Sequence, residues 1–280
     1  MRRPIQGEVA SAGRVLFLPG NGHSPMRLEQ AREVLASCSP RVELVELAYG
    51  QHSGARFGEG ARAGGSGKSA RTYDALLADL EAQIAQIAQI ERAGPADLVY
   101  ATGIGGLVAL SLRARGALRD QPVILQGAVL WGLEQRLFPR LMRLPGMPHA
   151  LALALRTPLV QRRFVRRHLR SAPDAAWRRR FFAGYADAAA FAEWFAWLRP
   201  ELLRRLEQEL DAAALTGCEA WWGDQETVVG LEELRVTEAA LGVSLPLRRF
   251  RDWGHYPMID DPKGWAQEIR HAVATARRAS

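Results

Sequence analysis

At 280 residues, with 48% hydrophobic and 24% charged side chains, the chain has apolar content for a sizeable core, and no apolar run reaches the roughly 18 residues needed to cross a bilayer. A disordered or transmembrane chain is thereby excluded, and two cysteines 180 positions apart, with no CxxC and no histidine-rich neighbourhood, argue against a disulfide framework or a metal site. The net charge of +7 is concentrated: residues 136–180 hold twelve arginines against the single acid Asp174, a sum of +11 that leaves −4 for the remainder.

The opening residues lack the apolar stretch of a secretory signal, so the expected location is cytoplasmic. Residues 14–19 form a short apolar run ending in Pro-Gly-Asn-Gly, which predicts a strand entering a turn. A helix is expected over 27–36 and a second strand over 42–48. The glycine-rich stretch 51–70 reads as a surface loop, and residues 72–92 as a helix whose Ile84, Ile87 and Ile90 make a core stripe. A strand at 97–101, a helix at 105–115 and a strand at 128–131 follow. From 133 to 214 no strand pattern appears; four or five helices rich in arginine and aromatic residues, punctuated by prolines, fill that interval. Strands return at 218–222 and 246–250, separated by a helix at 231–241. A final helix starts at Asp261-Pro262, an acid at the cap and proline in the first turn. Alternating strands and helices predict an α/β fold with a mostly parallel sheet covered on both faces. Cys38 and Cys218 are expected as buried apolar residues.

Three signals fall at the carboxyl ends of predicted strands, where open α/β sheets place their sites. They are Leu18-Pro-Gly-Asn-Gly-His-Ser24, the turn Ala101-Thr-Gly-Ile-Gly105, and the pair Gly223-Asp-Gln-Glu226 with Asp252-Trp-Gly-His-Tyr-Pro257. Their order and spacing resemble the α/β-hydrolase superfamily, in which a helical lid is inserted after the sixth strand of the family's sheet. The resemblance covers nearly the whole chain. It implies a core of residues 1–132 and 215–280 and a lid of 133–214. It also implies His255 as the catalytic histidine, Glu226 as the acid that orients it with Asp224 as the other candidate, and the backbone N–H groups of Asn21 and Ile104 as an oxyanion hole. Thr102, His23 and Ser24 are candidate pocket residues.

Gly103 stands where that family carries its nucleophile. Glycine tolerates the strained backbone of such an elbow but brings no oxygen. Three readings stay open: an enzyme acting on a small or acyl-bearing apolar substrate through His255 without a serine nucleophile, a catalytically silent ligand-binding protein, and a serine hydrolase whose serine has been replaced at 103. No cofactor is expected. Gly64-Gly-Ser-Gly-Lys-Ser69 resembles a phosphate loop, but Arg62 occupies the place of its first glycine, and Gly103-x-Gly105 has Val108 where a dinucleotide fingerprint needs its third glycine. A small-molecule, apolar ligand is the expected partner, and nucleic acid is not. The arginines 162, 163, 166, 167 and 170 interleave with apolar residues; a solvated lid face is the favoured reading, and contact with an anionic membrane surface or with an acidic substrate such as an acyl-coenzyme A are the alternatives.

Overall fold

The structure, a computed structural model, describes residues 12–279 apart from 39–40, 48, 50–71, 92–95, 129–130, 133–135, 171–173 and 186–187. The glycine-rich stretch 51–70 and the phosphate-loop look-alike within it lie outside the described residues.

The first half of the chain alternates as expected. It runs through β1 (Gly13–Leu18), α1 (Glu29–Ser37), β2 (Val42–Glu46), α2 (Tyr73–Glu91), β3 (Leu98–Thr102), α3 (Gly105–Ala114) and β4 (Val123–Gln126). A 3-10 turn at Pro25–Leu28 leads into α1. Among the described residues seven α-helices follow: α4 (Leu137–Met142), α5 (Met147–Ala154), α6 (Pro158–His168), α7 (Ala175–Phe181), α8 (Ala188–Trp197), α9 (Pro200–Glu209) and α10 (Ala212–Leu215). The chain then returns to the sheet with β5 (Cys218–Gly223), α11 (Leu231–Leu241), β6 (Leu247–Phe250), α12 (Pro257–Asp260) and α13 (Pro262–Ala279). The strands form one parallel sheet in the order β2-β1-β3-β4-β5-β6.

Side chains alternate between the two faces, as the period of a strand requires. Leu16 and Leu18 of β1, with Val99 and Ala101 of β3, enter the core shared with α2 and α3. Val15, Phe17, Leu98 and Tyr100 enter the opposite core, which α1 and α13 cover. Helix α13 contributes Trp265, Ile269 and Val273 at helical spacing, and Asp261 caps it by accepting the Gly264 amide at 3.0 Å. Ile84 is buried and Ile87 packs against the core; the side chain of Ile90 lies outside the described residues.

Three expectations need correction. The strand expected at 128–131 is instead Val123–Gln126, and Trp131 lies in a 3-10 turn. The apolar run Val123-Ile-Leu pairs with both β3 and β5, and the chain leaves the sheet at Gly127; residues 129–130 lie outside the described residues. Cys218 is buried, whereas Cys38 is only partly so, at the C-cap of α1. The interval between β4 and β5 also holds more and shorter helices than expected. Pro148, Pro158 and Pro200 each sit in the first turn of a new helix, where a missing N–H costs nothing, so each proline starts an element.

Candidate active site

The ends of β1, β3 and β5 and the segment after β6 converge on a cavity of about 640 Å³, which is closed from the other side by the inserted helices. Its walls are mainly apolar, with Leu155, Val160, Phe191 and Phe195 from the insertion. Among the described residues no aspartate or glutamate lines it.

Gly103 links β3 to α3 at φ 52°, in the left-handed region where a residue with a Cβ is strained. A Cβ built there meets only the Gly20 Cα, at 3.7 Å, so the position has room for a side chain facing the cavity. Two residues on, Gly105 is fixed by a different constraint. A Cβ on it would collide with the Leu18 carbonyl, so the close seating of α3 on β1 requires glycine. The Ile104 amide precedes the first helical carbonyl that could accept it, as at any helix start, and Ile104 lines the cavity.

Thr102 lines the cavity, and its hydroxyl accepts the Gly20 amide at 3.1 Å, which fastens the loop 19–22 to the end of β3. Asn21, in that loop, lines the cavity beside Gly20 and Gly103. Its side-chain Nδ2 donates to the Phe191 carbonyl at 3.2 Å, Ser24 Oγ donates to the Arg180 carbonyl at 3.3 Å, and Arg27 Nη2 donates to the Phe181 carbonyl at 3.3 Å. Segment 21–27 is thus tied to the main chain of the insertion at three places. Ser24 is buried and does not line the cavity.

His255 sits in the turn before α12, and its Nδ1 lies 2.7 Å from Glu226 Oε2. Glu226 follows β5, and its other oxygen accepts the amides of Val228 at 2.6 Å and Val229 at 3.1 Å. Burial pushes the Glu226 carboxyl up, but the His255 ring and the two amides together outweigh it and leave the group below its ordinary range. The carboxylate therefore fixes Nδ1 as the protonated nitrogen and leaves Nε2 able to accept a proton. Asp224, the other candidate acid, is not at His255. It pairs with Arg249 at 2.7 Å, because the turn after β5 directs it toward β6.

His23 lines the cavity with Nε2 3.3 Å from Glu46, and burial lowers its pKa in spite of that carboxylate. Two lining groups were not singled out in the sequence. His168, at the end of α6, stands edge-on to His255 with 5.9 Å between ring centroids, stacks on Phe164, and has Nδ1 2.7 Å from the Phe164 carbonyl. Burial, followed by the His255 charge, drives it down to about 3, so it is a neutral acceptor at ordinary pH. Arg27 is buried, with its guanidinium 4.0 Å from the Phe181 ring centroid and a hydrogen bond to the Tyr256 hydroxyl at 3.3 Å. Tyr256 was legible as the neighbour of His255; His168 and Arg27 lie in segments with no motif. Among the described residues no cluster of histidine, cysteine or acid could hold a metal ion.

The model of the alpha/beta hydrolase family matches residues 15–268. Among solved structures, the chain is similar to a haloalkane dehalogenase from Bradyrhizobium elkani, at 19% identity over 97% of this chain and 93% of that one, with a TM-score of 0.63. It is also similar to a putative lipase from Acinetobacter baumannii, at 11% identity over 97% and 86% with a TM-score of 0.64, and to a carboxylesterase structure from Nitrososphaera gargenis, at 13% over 98% and 94% with a TM-score of 0.61. No curated protein sequence matches the chain.

Proposed function

The chain belongs to the alpha/beta hydrolase family, and from that premise we propose that it is a hydrolase-like enzyme for a small or acyl-bearing apolar substrate, working through His255 without a serine nucleophile. The observation that carries this reading is the His255–Glu226 pair, 2.7 Å apart, at a largely apolar cavity that also holds Gly103. In this scheme a water takes the place a nucleophilic side chain would fill. His255 Nε2 accepts a proton from that water as its oxygen bonds to the substrate carbonyl carbon. The negative charge that gathers on the carbonyl oxygen is met by the Asn21 and Ile104 amides. Collapse of the adduct breaks the bond to the leaving oxygen, which takes the proton back from His255, and an acid and an alcohol leave. The inserted helices act as the lid that walls the cavity from water.

A triad without its nucleophile retains a residual acceleration on the order of 10³–10⁴ over water in protease cases, so slow turnover is expected. The test is hydrolysis of short- and medium-chain aryl esters by the parent, His255→Ala and Gly103→Ser, each checked for folding. Slow turnover lost with His255 supports the proposal; turnover indifferent to His255 overturns it. A silent parent whose Gly103→Ser variant turns over supports the second reading, a ligand-binding protein on a retained scaffold, which the missing oxygen at 103 favours.

A further inference from the structure

Among the described residues, five large apolar side chains are markedly exposed: Leu137, Phe138, Leu144, Leu153 and Leu159, at 47–69%. All five fall within 23 consecutive positions, on or beside α4, α5 and α6. Exposed apolar residues gathered in this way mark a contact surface. The same stretch is basic throughout, since residues 136–170 contain nine arginines and no acid. Arg140, Arg156, Arg162, Arg163, Arg166 and Arg167 are exposed and meet no carboxylate among the described residues.

Helix α6 shows how the two chemistries combine. After Pro158 in its first turn, its exposed positions are Leu159, Arg162, Arg163, Arg166 and Arg167, spaced i, i+3, i+4, i+7 and i+8, while Gln161 and Val165 are buried. A leucine and four guanidiniums therefore share the outer side of one helix. Long arginine stems can lie along apolar surface while their heads reach phosphates. Phe138, Arg163 and Arg167 are both exposed and cavity-lining, so the mouth of the cavity opens within this surface.

We propose that the outer face of α4, α5 and α6 docks on an anionic lipid surface, with the cavity mouth turned toward it. Charge selects this occupant. A second copy of the chain would set arginines against arginines across a two-fold interface. A nucleic acid would neutralise the arginines and leave the leucines in water. An anionic leaflet answers both, with each nearby cation raising affinity roughly fivefold and the leucines entering the acyl boundary. The contact is a surface one, because among the described residues no helix is long and apolar enough to cross a membrane. An apolar ligand could then pass between leaflet and cavity without crossing bulk water.

The test is co-sedimentation of the full chain with vesicles of phosphatidylcholine alone and with vesicles in which about a third of the lipid is phosphatidylglycerol. The chains compared are the parent, Leu153→Gln/Leu159→Gln, Arg162→Gln/Arg166→Gln, and Arg235→Gln as a control on α11. The expected result is at least about tenfold stronger partition onto the anionic vesicles, weakened by salt, reduced about tenfold or more in each double variant and kept in the control. Three results overturn the proposal: no partition at low salt, equal partition onto both vesicles that survives loss of the arginines, or a dimer in lipid-free buffer that Leu153→Gln/Leu159→Gln abolishes. The readout is lipid partition and not turnover, so its failure leaves the hydrolytic reading untouched, and the converse holds.

Discussion

The Thr102 hydroxyl accepts the Gly20 amide at 3.1 Å, a single bond that joins the end of β3 to the loop carrying Asn21. Thr102→Val keeps the shape and removes the acceptor, leaving the Gly20 N–H without it. A loss of about 1–2 kcal/mol in unfolding free energy is expected, while Thr102→Ser retains most of the stability. Urea unfolding of the three proteins checks this; equal losses for valine and serine would mean that the methyl contact, and not the hydrogen bond, matters.

The two glycines flanking Ile104 should respond very differently to alanine. At 103 the added methyl has room and the cost is the left-handed backbone, about 1–2 kcal/mol. At 105 the methyl meets the Leu18 carbonyl, and neither β1 nor α3 can move without disturbing the sheet, so about 3 kcal/mol or more is expected. Thermal or urea midpoints decide it, and similar midpoints for the two variants would refute the close seating of α3 on β1.

Much of this arrangement was legible before the fold was known, and the reason is local. The elbow, the Pro-Gly-Asn loop and the Gly-His-Tyr-Pro turn each follow a strand whose apolar run marks it, so their order along the chain brings them to one sheet edge. Strand β4 was displaced in the reading because Gln126 and Gly127 interrupt its apolar character and a second apolar run follows them. The insertion was legible as helical but not in its contacts. His168 reaches His255 across 87 positions and Arg27 reaches Phe181 across 154, and no periodicity encodes such pairings.

His168 gives a pH dependence with a definite sign. Its folded pKa, about 3, lies below the ordinary 6.5, so as pH falls through 6.5 the unfolded chain takes up a proton that the folded chain refuses. Its contribution is intact above pH 6.5 and declines toward pH 3, at about 1.4 kcal/mol per pH unit, which approaches about 2 kcal/mol by pH 5. His168→Gln should show a shallower loss of unfolding free energy between pH 7.5 and 5; identical slopes would show that the ring titrates freely in the fold.

Glu226 behaves with a different window. Its pKa is lowered below 4.5, so its stabilising contribution is present at neutral pH and disappears as acid protonates the carboxylate. Glu226→Gln should cost about 2 kcal/mol at pH 7, and the gap to the parent should narrow as the pH falls below the ordinary 4.5. Unfolding measured across that range tests it, and a gap that persists in acid would point to packing and not charge.

The three bonds from Asn21, Ser24 and Arg27 to the insertion all end on main-chain carbonyls, those of Phe191, Arg180 and Phe181. Every amino acid offers the same acceptor at those positions. As hydrogen bonds these three joints ask nothing of the side chains at 180, 181 and 191, while Arg136 with Glu233 and the Arg170 amide with Asp260 join the insertion to the core elsewhere. A substitution at Phe191, which lines the cavity, therefore leaves the bond from Asn21 to its carbonyl in place.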